Sequence, residues 1–106
     1  MAISVRVERG LPGPGETMAE LIHQYSKPTE DVQGHRYLAR VYAMQRPDKM
    51  WEACFEFVSI DGEDTIYRTE AETAQSNREA VAYWAAGIES TYLSGALGRA
   101  HAVSLN

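Results

Sequence analysis

Between Ser76 and Ala100 the apolar positions Val81, Trp84, Ala85, Ile88, Tyr92, Ala96 and Leu97 recur at steps of three and four. That spacing lines them up along one stripe of a helix. Ser76 and Glu79 form the S-x-x-E pattern, in which each side chain satisfies a backbone donor at a helix start. The pattern predicts one long C-terminal helix over 76–100, the spine around which the rest is built. Gly87, Gly95 and Gly98 each cost about 1 kcal/mol relative to alanine inside it. Gly87 would permit a close approach to a sheet, and Gly95 or Gly98 would mark the end.

A second stripe, Met18, Leu21, Ile22 and Tyr25, follows a Thr17–Glu20 capping pair. It predicts a short N-terminal helix over 17–26, ended by Lys27-Pro28. Elsewhere the period is two. Ile3, Val5 and Val7 predict a half-buried strand over 2–9, followed by the breaker run GLPGPG at 10–15. His35–Gln45 and Met50–Ile60 predict two long strands, and Thr65–Thr69 a shorter third. EAETAQ at 70–75 reads as a connection, and Ala102, Val103 and Leu105 allow a terminal strand.

Arg46-Pro47-Asp48-Lys49 and Asp61-Gly62 turn the chain between the long strands. A turn centred near Asp48 sets Arg40 opposite Glu56 and Val41 opposite Phe55. A turn near Gly62, longer than two residues, sets Glu56 opposite Arg68 and Phe57 opposite Tyr67. One register then gathers the aromatics on one face and sets Glu56 between two arginines on the other. The expected fold is α+β: a three-stranded antiparallel meander, extended to four if the N-terminal strand joins. The long C-terminal helix covers its aromatic face, with the short N-terminal helix beside it.

Composition changes this picture little. At 106 residues with 44% hydrophobic content, the chain suits one domain over 1–106. The net charge of −5 disfavours a broad phosphate-binding face. A single cysteine, Cys54, excludes an intramolecular disulfide. No signal peptide and no run of about 20 apolar residues is visible. The expectation is a cytoplasmic protein without membrane association.

Candidate chemistry is sparse. His23, His35 and His101 show no metal spacing, so no metal or other cofactor is expected. Cys54, at a strand centre, is poorly placed as a nucleophile. Glu52 and Glu56 share a face with Arg36, Arg40 and Arg68, where cross-strand pairing accounts for them better than acid–base work. That face also carries Leu38, Tyr42, Met44, Val58, Ile60 and Ile66. Large apolar groups mixed with both charge signs have the composition of an interface. Arg40, Tyr42, Met44, Glu52, Glu56 and Arg68 are its candidate residues. A different option is a ligand edge at the start of the long helix, formed by Trp51, Gln75, Asn77 and Trp84.

The order helix, three antiparallel strands, helix over residues 17–99 resembles the double-stranded-RNA-binding-domain topology. The resemblance implies RNA binding through a lysine-rich start of the second helix. The matching stretch, Thr73–Tyr83, offers Arg78 alone, with Glu79 beside it, and no functional residue carries over. The leading expectation is therefore a non-enzymatic interaction module that forms a homo-oligomer. Nucleic-acid binding and small-molecule binding or catalysis are the alternatives.

Overall fold

A computed structural model describes residues 19–103. The strand expected over 2–9, the GLPGPG run, the first two residues of the expected N-terminal helix and Leu105 lie outside the described residues.

In chain order the strands are β1 (Glu20–Gln24), β2 (Thr29–Glu30), β3 (Arg36–Gln45), β4 (Trp51–Ser59), β5 (Ile66–Arg68) and β6 (Thr73–Gln75). Helices α1 (Arg78–Ala86) and α2 (Ser90–Arg99) follow, and β7 (His101–Val103) ends the described chain. All seven strands form one antiparallel sheet, ordered β1-β3-β4-β5-β7, with β2 also on β3 and β6 also on β4. The flanks of the central pair are thus each built from two short pieces. Between β5 and β6 the chain leaves the ladder at Thr69. Its buried hydroxyl accepts the Phe55 N–H at 3.0 Å in place of a backbone carbonyl.

The central register agrees with the sequence pattern. Arg40 lies opposite Glu56 and Val41 opposite Phe55. Glu56 lies opposite Arg68 and Phe57 opposite Tyr67. Alternation sends Tyr37, Ala39, Val41 and Ala43 of β3, and Ala53, Phe55 and Phe57 of β4, into one buried layer. Val81 and Ala85 of α1 and Leu93, Ala96 and Leu97 of α2 close that layer from above. The Phe55 ring lies at its centre, stacked on Trp84 at 5.6 Å between centroids and edge-on to Tyr92 at 5.9 Å.

The three-stranded meander with one long and one short helix is overturned. The sheet has seven strands, and both helices are short. Residues 20–24 form an edge strand, not a helix. A bulge between Leu21 and His23 inserts Ile22 as an extra residue against β3. An inserted residue shifts the alternation by one, so Ile22 and Tyr25, three apart, both pack on the core. That spacing imitates a helical stripe.

The expected helix over 76–100 is broken at Gly87–Glu89. The N–H groups of Gly87 and Ile88 bond back to Trp84 and Ala85 in a tightened last turn. Glu89 is extended, with φ −100° and ψ 164°. Tyr25 supports the break by donating its hydroxyl to the Ala85 carbonyl at 2.7 Å. The stripe continues through the break because both helices cover the same sheet face. The start also moves: Asn77, not Ser76, caps α1, its side chain accepting the Ala80 N–H at 2.8 Å. With a strand in place of the first helix, the resemblance to the double-stranded-RNA-binding topology does not hold.

Candidate functional site

The helices cover one face of the sheet. The other carries the opposite parity of the same strands: Leu38, Arg40, Tyr42 and Met44 from β3, and Glu52, Cys54, Glu56 and Val58 from β4. Ile66 and Arg68 extend it on β5. Apart from Glu56, which is buried, these residues are half-buried. None of them belongs to the core that the helices close.

All six candidate interface residues thus lie on one surface. The geometry sorts their charges. Arg68 Nη2 donates to Glu56 Oε2 at 2.8 Å. Arg40 is opposite Glu56 in register, but its Nε donates to Gln24 Oε1 at 2.9 Å. Glu56 therefore takes its ion pair from β5. Glu52 lies 3.9 Å from Arg46 at the mouth of the β3–β4 turn. The four charged candidates comprise two arginines and two glutamates, so the face is locally balanced on a chain of net charge −5.

A concavity of about 220 Å³ opens on this face. Tyr42, Met44, Glu52 and Cys54 line it, and the Thr69–Ala71 departure from the ladder forms one rim. Burial pushes the Cys54 thiol up to about 11, so it stays protonated at neutral pH and lacks the thiolate a nucleophile needs. Among the described residues no group of three or more His, Cys, Asp or Glu side chains could hold a metal ion. His23 packs edge-on to Tyr25 at 4.5 Å, and His35 Nδ1 lies 3.2 Å from Asp31.

The candidate ligand edge is distributed differently. Trp51 and Gln75 are paired across β4 and β6. Asn77 is occupied as the helix cap, and Trp84 lies on Phe55. The structure brings the first two together and gives the other two separate packing roles. A second concavity joins Tyr25 and Ile88, which the sequence pattern assigns to two separate stripes. It lies between the β1–β2 loop and the start of α2, and pairs segments about 60 positions apart.

Glu72 is a further residue that local sequence leaves unexplained. Its side chain is 10% exposed, and its Oε1 accepts from Tyr92 at 2.8 Å and Arg99 at 2.7 Å. The bond to Glu72 holds the Tyr92 hydroxyl above its ordinary pKa. The cluster fastens α2 to the β5–β6 connection, a positional role and not a chemical one.

Comparison with protein-family models, characterised proteins and solved structures finds no match for this chain. The class is therefore defined by architecture alone: an antiparallel sheet with two helices on one face and a mixed apolar and charged surface on the other. Among the described residues no helix is long and apolar enough to cross a membrane.

Proposed function

We propose that this chain is a non-enzymatic, cytoplasmic interaction module that self-associates through the sheet face opposite its helices. The observation that carries this reading is the charge balance of that face. A twofold interface sets one patch against its own copy, so the patch must complement itself. Arg40 and Arg68 with Glu52 and Glu56 meet that requirement, whereas a uniformly acidic surface would repel its copy. Leu38, Tyr42, Met44 and Val58 supply the apolar contact. The concavity beside Tyr42 and Met44 offers a seat for a partner's side chain. The protonated Cys54 thiol supports the non-enzymatic reading.

Sedimentation velocity at increasing loading tests it. The weight-average mass should climb from 11.8 kDa per chain toward twice that value as concentration rises. A mass that stays at one chain across the range refutes the proposal.

A further inference from the structure

At the edge of the helix-covered side, the β1–β2 loop and the first turn of α2 enclose a cleft of about 470 Å³. Tyr25, Lys27, Thr29, Ile88, Ser90 and Leu93 are among its walls.

Three observations meet there. First, Thr29 is 5% exposed, and its hydroxyl has no hydrogen-bond partner among the described residues. Buried hydroxyls are nearly always bonded. Thr29 lies opposite Tyr37 in the ladder, so its side chain is on the helix-covered side. It forms part of the cleft wall, and the cleft is where its missing partner would sit.

Second, α2 begins uncapped. Glu89 makes no side-chain cap bond. Its carbonyl takes the N–H groups of Tyr92 and Leu93, which leaves those of Ser90 and Thr91 as the orphan donors of the helix start. A helix of ten residues carries partial positive charge at this end.

Third, Lys27 on the rim forms no ion pair among the described residues.

We propose that this cleft binds a small monoanionic carboxylate with an apolar body. The carboxylate sits on the Ser90 N–H beside Lys27, and the Thr29 hydroxyl completes its hydrogen bonds. The apolar body lies against Ile88, Leu93 and the Tyr25 ring. Charge selects the class: one lysine and a helix terminus match a single negative charge. Glu30 on the rim and Glu89 at the helix start oppose a dianion such as a phosphate monoester.

The test is a titration of the full chain followed by amide nitrogen–proton correlation spectra. The probes are isovalerate, its neutral isostere isovaleramide, and inorganic phosphate. Isovalerate should give saturable shifts centred on Lys27, Thr29 and Ser90, isovaleramide none, and phosphate weaker ones. Lys27→Gln and Thr29→Val should each weaken isovalerate binding by about fivefold or more. Thr29→Val removes an unpaired buried hydroxyl, so its Tm should hold or rise, which separates lost binding from lost folding. Absence of saturation up to about 20 mM isovalerate overturns the site. Equal binding of isovaleramide overturns anion recognition, tighter phosphate binding overturns the ligand class, and unchanged binding by Thr29→Val overturns the role of the hydroxyl.

Discussion

Glu56 and Arg68 form an ion pair across β4 and β5, Oε2 to Nη2 at 2.8 Å, with the carboxylate side chain 10% exposed and the guanidinium 30%. The pair lies on the face away from the helices, directly behind the layer of aromatic side chains. A carboxylate this buried depends on its cation, because removing one partner leaves a charge away from water. Arg68→Ala should destabilise the fold by about 2 kcal/mol in urea unfolding. The double change Glu56→Met with Arg68→Leu should recover most of that loss, since it removes both charges and keeps the volume. The comparison belongs at matched, dilute concentration, because association couples to stability. A double variant no more stable than Arg68→Ala would show that the pair does more than satisfy its own burial.

Tyr25 ties the edge strand to the end of α1 through its bond to Ala85. Tyr25→Phe leaves that carbonyl without its side-chain donor and should cost about 1 kcal/mol in the same measurement. Burial pushes the Tyr25 hydroxyl from 10.0 to about 12. The folded state therefore holds this proton more tightly than the unfolded chain does. The contribution is fully present below pH 10.0 and is lost as pH climbs toward 12. The alkaline fall in Tm should be shallower in Tyr25→Phe than in the parent chain.

Three aspartates hold turns and are more acidic than an ordinary aspartate. Burial raises Asp31, but bonds from the His35 and Gln33 N–H groups outweigh it and hold it below 3.8. Asp48 is lowered first by the Met50 N–H, and Asp61 by the N–H and guanidinium of Arg36. Each contributes stability that is present above the ordinary value of 3.8 and lost as pH falls through the lower folded value. The Tm should therefore drop below about pH 4. The Asp31→Asn, Asp48→Asn, Asp61→Asn combination should lower Tm near neutrality and flatten that acid limb. An acid limb as steep as the parent's would place the responsible carboxylates elsewhere.

The centre of the sheet is legible in the sequence because β3 and β4 are long and alternate strictly. Their parity separates Val41, Phe55 and Phe57 from Arg40, Tyr42 and Glu56, and the turns near Asp48 and Gly62 set the register. The edges are not legible. β2, β6 and β7 have two or three residues, too few to show a period. The bulge at Ile22 converts an alternating strand into a three-residue spacing, which reads as a helix. The stripe from Val81 to Leu97 hides the break at Gly87 because α1 and α2 pack on the same face. The face opposite the helices could be read from alternation, but of Trp51, Gln75, Asn77 and Trp84 only the first two are brought together, since Asn77 caps α1 and Trp84 lies in its last turn. The cleft at Thr29 could not be read, since it depends on an edge strand meeting a helix start that a single continuous helix would not have.

The sheet face opposite the helices is proposed to meet a second copy of itself. Tyr42 lies mid-strand on that face, opposite Cys54 and beside the concavity. Tyr42→Glu puts a buried negative charge into the interface while leaving the aromatic core on the other side untouched. Size-exclusion chromatography with light scattering, run on both chains with circular dichroism as the fold control, measures this directly. The parent chain should run at twice 11.8 kDa and a folded Tyr42→Glu at 11.8 kDa. A parent that is monomeric at high concentration, or a folded variant that keeps the dimer mass, would contradict it.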